Sequence, residues 1–115
     1  MTIFRSSALL LAAFTSACSD GRPPANSELG RIVRIENYSD AASQLQRFAE
    51  ARLDNPVRLR RDLTSAGFKR SVYRDGPAEP ECERFDLKTK QAWPSVYFVN
   101  LCRGKVFADA GEIAP

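Results

Sequence analysis

Along residues 41–53, apolar side chains recur at Ala41, Ala42, Leu45, Phe48, Ala49 and Leu53, with Gln44, Arg47 and Glu50 between them. This is the spacing of an amphipathic helix with one buried face. Ser39 or Asp40 is placed to cap it, and its end is expected at Asp54-Asn55-Pro56. A second helix starts there, with Asn55 as cap and Pro56 at the first helical position, where its missing N–H costs nothing. Val57, Leu59, Leu63 and Ala66 form its predicted buried face, and Gly67 its left-handed terminus.

From Phe68 the period shifts toward two. Residues 68–73 predict a strand, Asp75-Gly76-Pro77 its turn, and residues 83–87 a second strand. The strongest strand runs from Ser95 to Cys102; Arg103-Gly104 then turns the chain into Lys105-Val106-Phe107-Ala108 as a β-hairpin. With those two turn residues, Leu101 faces Val106 and Val99 faces Ala108, while Phe98 and Phe107 point to the opposite face. Upstream, residues 32–35 are β-prone, either a short edge strand or the ordered end of a tether. The expected fold is α+β, two helices packed on one face of an antiparallel sheet of three or four strands.

The first residues are Met1-Thr2-Ile3-Phe4-Arg5, then an apolar run from Ala8 to Phe14, then Thr15-Ser16-Ala17-Cys18, with no acid before Asp20. Such a leader predicts export, and the run is shorter than the roughly 20 residues a membrane-spanning helix needs. Ser16-Ala17-Cys18 resembles the lipobox of bacterial lipoproteins, although Thr15 and Phe14 stand where that family prefers a leucine-like residue. The resemblance implies cleavage after residue 17, acylation of Cys18 and attachment to a membrane through the lipid. With Ser19 rather than an aspartate after the cysteine, it implies the periplasmic side of the outer membrane, the inner membrane being the other choice. The expected organisation is a leader over 1–17, a lipidated Cys18 with a flexible tether over 18–30, and a small domain over 31–115. In the order and size of its elements, the domain also resembles the assembly lipoproteins of the outer-membrane barrel machinery, which implies a scaffold role.

Export changes the meaning of the cysteines. Cys82 and Cys102 would meet an oxidising compartment, where a disulfide closing a loop of about 20 residues stabilises a small domain by roughly 3 kcal/mol. The pair lacks the Cys-x-x-Cys spacing of exchange motifs, and two thiols without histidine make a poor zinc site, so neither redox role, metal nor cofactor is expected.

The 115 residues contain no histidine, which removes the usual general base near neutral pH and the partner of Ser-His or Cys-His nucleophiles. Glu79, Glu81, Glu83 and Asp86 are close in sequence, but Pro77 and Pro80 place the first of them in a loop, and a solvated connection is the simpler reading. A carboxylate-dependent wall hydrolase would need two acids facing a cleft, which the sequence does not supply; a non-enzymatic role is expected. Asn37-Tyr38-Ser39 matches a glycosylation acceptor by chance in a chain with a bacterial leader.

The sharpest charge asymmetry lies between Arg52 and Arg74, where Arg52, Arg58, Arg60, Arg61, Lys69, Arg70 and Arg74 face only Asp54 and Asp62. Arg58, Arg60, Arg61, Lys69 and Arg70, with Trp93 before the strongest strand, are the candidate partner-binding residues, against an envelope protein or an anionic surface. The plainer reading is a solvated helix face and a tryptophan closing the core. Nucleic acid is not an expected partner, since past residue 17 there remain 16 basic and 14 acidic side chains. The leading expectation is a lipid-anchored, protein-binding envelope domain that uses the basic helix or an open sheet face. Its rival is a periplasmic enzyme inhibitor whose loop 88–94 is stiffened by the disulfide. The intact mass of the mature protein should equal the chain from Cys18 plus acyl groups, less two hydrogens; a full-length mass with reduced thiols would contradict export.

Overall fold

The computed structural model describes residues 20–113; Cys18 and the leader lie outside the described residues. Among these residues, three helices, α1 (Glu28–Ile32), α2 (Tyr38–Glu50) and α3 (Pro56–Ser65), precede four strands, β1 (Lys69–Tyr73), β2 (Cys82–Lys88), β3 (Ser95–Cys102) and β4 (Lys105–Glu112). The strands form one antiparallel sheet in sequence order, so the molecule is the expected α+β two-layer domain.

In β3, Ser95, Tyr97, Val99 and Leu101 turn inward and meet Phe85 and Leu87 of β2 and Ala108 of β4. From the helices come Leu29, Ile32, Leu45, Phe48, Leu59 and Leu63, which close a single apolar layer. The two-residue turn has Arg103 at φ 38° and Gly104 at φ 74°, both in the left-handed region that a type I′ hairpin requires. It fixes the expected register of Leu101 opposite Val106 and Val99 opposite Ala108.

Several boundaries differ from the sequence expectation. Asn37, not Ser39 or Asp40, caps α2, its Oδ1 accepting from the Asp40 amide at 3.0 Å. Starting two or three residues earlier, the helix includes Tyr38, whose hydroxyl reaches Ser95 Oγ at 2.7 Å. The helix ends at Glu50, because the amides of Arg52, Leu53 and Asn55 bond three residues back, tightening the chain into turns. α3 begins at Pro56 under Asn55 as expected, but Val57 is 70% exposed. Leu59 and Leu63 set the buried direction, and Val57, two residues before Leu59, lies about 200° away around the helix. Gly67 (φ 100°) closes α3, with Phe68 N–H bonding Leu63 C=O and Gly67 N–H bonding Thr64 C=O, a Schellman motif.

The largest difference lies upstream. Residues 20–35, expected as tether and a short strand, pack on the domain. Ser27 caps α1 by accepting from the Gly30 amide at 3.0 Å, and Leu29, Ile32 and Val33 are buried. Burial and a cap outweigh the β-propensity of Ile32 and Val33. The buried Tyr97 hydroxyl donates to Val33 C=O at 2.8 Å, tying this segment to the sheet.

Both outer strands are protected. β1 is short and basic, and β4 is covered by Gln46 of α2, whose Nε2 donates to Val106 C=O (2.9 Å) and whose Oε1 accepts from Ala108 N–H (2.7 Å). At one end of the sheet, Cys82 and Cys102 are joined as expected, directly opposite in register with Cα atoms 4.5 Å apart. That is the spacing of a non-hydrogen-bonded antiparallel pair. Replacing both cysteines with alanine should lower unfolding free energy by roughly 3 kcal/mol in urea titrations, and an unchanged midpoint would remove the staple's structural role.

Candidate functional site

The basic residues singled out from sequence do not form a single patch. Arg60 of α3 and Arg70 of β1 converge on one carboxylate: Arg60 donates to Glu83 at 2.7, 2.9 and 3.1 Å, and Arg70 Nε donates to it at 2.6 Å. Glu83 sits on the helix-facing side of β2, largely buried, which is why it recruits two cations. Those hydrogen bonds, Arg60's foremost, hold its carboxyl below the usual glutamate range against the opposing effect of burial, and Glu83 in turn raises Arg60.

A second knot lies beside α1. Arg52 donates to Asp62 at 3.0 Å and to Phe48 C=O at 3.0 Å, reaches Glu28 at 3.3 Å, and lies 3.6 Å over the Phe48 ring. Arg58 and Arg61 gather around the same Asp62, and Arg74 pairs with Glu81. Lys69 points to the opposite face of the sheet, across from Asp86, while Trp93 lies in the β2–β3 loop, 59% exposed. The six arginines of the basic stretch are thus met by Asp62 within it and by Glu28, Glu81 and Glu83 from outside it, Glu28 and Glu83 lying far along the chain from the arginines they hold.

Sequence spacing also suggested that the disulfide stiffens the 88–94 loop. The structure separates them: Cys82 opens β2 and the loop follows its other end, about 20 Å away at strand rise. That loop is held instead by the Thr89 amide donating to Ser95 C=O, the Ser95 amide donating to Thr89 Oγ1, and the Lys90 amide donating to Asp20 C=O.

Among the described residues, the three helices lie on one side of the sheet and no element covers the other. Its central row is Ser71, Arg84, Asn100 and Phe107, and the next is Lys69, Asp86, Phe98 and Asp109. The Arg84 guanidinium lies 4.2 Å over the Phe98 ring, whose centroid is 6.3 Å from that of Phe107 at 49°. Phe107 is 57% exposed. Beside them, Asn100 Oδ1 is shielded from water and has no hydrogen-bond partner among the described residues. A buried acceptor left unpaired is costly, and a donor brought by an incoming surface would recover that cost once the side chains that shield the atom move aside. Stacked arginine and phenylalanine on a rigid sheet resemble the anchors on which protein interfaces concentrate their energy.

The outward direction of Phe98 and Phe107 follows from the hairpin register; Arg84 and Asn100 were missed. The signal for both was the near-continuous apolarity of β3, which gives it apolar side chains on both faces although helices cover only one. No protein-family model matches this chain, and no match is found among curated proteins or solved structures, so the outline likeness to barrel-assembly lipoproteins gains no support.

Replacing Glu83 with Gln should cost about 1–2 kcal/mol at pH 7, the half-exposed arginines moderating the loss. Because the folded-state pKa is lowered, this contribution is full above the ordinary glutamate range and is lost as pH falls through the folded value. Urea titrations of both proteins from pH 7 to 3 should show the gap closing on acidification; a constant gap would assign it to packing.

Proposed function

We propose that this chain is a lipid-anchored, non-enzymatic protein of the cell envelope that binds another protein through the uncovered face of its sheet. The lipobox-like Ser16-Ala17-Cys18 supports the anchor, and the disulfide accords with an oxidising compartment. The outer membrane, periplasmic side, is the location that Ser19 favours.

One observation bears the weight of the binding reading: Arg84, Phe98 and Phe107 stack on an uncovered sheet face next to the unpaired Asn100 Oδ1. Of the two contact surfaces expected from sequence, the sheet face is the better supported, since most arginines of the basic stretch already have carboxylate partners within the domain. A suitable partner presents an apolar or aromatic side chain to Phe98 and Phe107 and a hydrogen-bond donor to Asn100.

A photoreactive residue at Lys105, beside Phe107 on this face, should capture one discrete envelope protein in cells. The same group at the exposed Val57 should not, and adding Phe107→Asp should abolish the adduct. Equal capture from both positions, or an adduct that survives Phe107→Asp, would remove the sheet face as the contact surface.

A further inference from the structure

The chain reaches the sheet almost as soon as it passes Cys18. Asp20 C=O accepts from the Lys90 amide at 3.0 Å, and the Asp20 carboxylate accepts from Arg22 Nε (2.8 Å), its second guanidinium nitrogen (2.6 Å) and the Arg22 amide (3.0 Å). Gly21 takes φ 78° and lies so close to the 88–90 segment that a Cβ there would meet Lys90 Cγ at 3.4 Å and Lys88 O at 3.6 Å. Pro23 is buried, and Arg34 holds its carbonyl at 2.8 Å. Cys18 is two residues before Asp20, so its Cα lies within about 7 Å of Asp20 by covalent reach alone.

What surrounds that point has the composition of a lipid interface. A recess lined by Gly21, Lys69, Lys88, Lys90, Pro94 and Ile113 opens at this end of the sheet. Trp93 and Ile113 beside it are 59% and 42% exposed, and the three lysines form no ion pair with an acid among the described residues. Of the acids near them, Asp86 lines the same recess across from Lys69, Asp20 is engaged by Arg22, and Glu112 turns to the helix side of the sheet, where it accepts from Tyr38. Tryptophan and an aliphatic side chain at headgroup depth, with lysines reaching for phosphates, is the pattern of membrane-interface anchoring.

We infer that this end of the sheet rests directly on an anionic bilayer, with Trp93 and Ile113 entering the interface and Lys69, Lys88 and Lys90 contacting lipid phosphates. The inference rests on the lipid anchor at Cys18 and deepens it: the lipid fixes the domain against the surface rather than letting it hang on a tether. The uncovered sheet face, whose strands run away from that end, then stands beside the membrane and accessible to a partner.

The test supplies the anchor chemically, which separates this inference from acylation in the cell. With Cys82 and Cys102 joined, Cys18 is the remaining thiol of three, and the chain from Cys18 to Pro115 contains the whole described core. Coupled through Cys18 to a maleimide phospholipid in phosphatidylglycerol-containing vesicles, the single tryptophan, Trp93, should shift its emission to shorter wavelength and be quenched by brominated acyl chains. Lys69→Gln, Lys88→Gln and Lys90→Gln together should reverse most of that shift without loosening the covalent anchor. Emission and iodide quenching identical to those of the uncoupled protein in water would overturn the inference, even where native Cys18 is acylated. An unchanged shift in the triple variant would overturn the lysine contacts.

Discussion

A chain of this length can close one apolar layer, and everything else in the molecule follows from which side of the sheet receives it. The period of two in β3 sends Ser95, Tyr97, Val99 and Leu101 toward the helices and Val96, Phe98 and Asn100 away from them. Because the helices supply only enough apolar surface for one side, the second set remains outside. The core and the candidate contact face are therefore two outcomes of the same alternation.

Polar contacts then do what the small core cannot. Gln46 presents an amide to the outer edge of β4 in the manner of a neighbouring strand, bonding both Val106 C=O and Ala108 N–H. Tyr97 fastens the 20–35 segment to the sheet through Val33, and Tyr38 links the start of α2 to Ser95 and Glu112. Glu83 joins a helix and an edge strand by holding Arg60 and Arg70 together. Each contact joins elements far apart in sequence and makes docking specific where apolar packing alone would tolerate sliding.

The elements with strong local signals were legible in the sequence. Asn55-Pro56, Gly67 and the Arg103-Gly104 turn act through local backbone geometry, so their positions could be read directly, and the turn fixed the hairpin register as well. The pairing of Cys82 with Cys102 was legible because only one partner remained once Cys18 was assigned to the lipid anchor. What local reading missed depends on tertiary contacts. α1 is a five-residue helix that no isolated peptide would hold, formed because Leu29 and Ile32 are buried. The charge excess of residues 52–74 looked like a surface for a partner because spacing along a chain does not reveal that Glu83 or Glu28 will arrive from elsewhere. Likewise Asn100 looked like an ordinary strand position until the register placed it between Arg84 and Phe107.

The disulfide lies at the end of the sheet remote from the point where Asp20 meets Lys90. In the folded domain roughly 20 Å of strand stands between the bonded sulfurs and the covalent reach of Cys18. Covalent reach from Asp20 is too short for the third thiol to attack that bond, so thiol exchange within one folded molecule is suppressed by distance. On the anchored reading proposed above, the residue that takes the lipid and the structural crosslink are thus kept chemically apart.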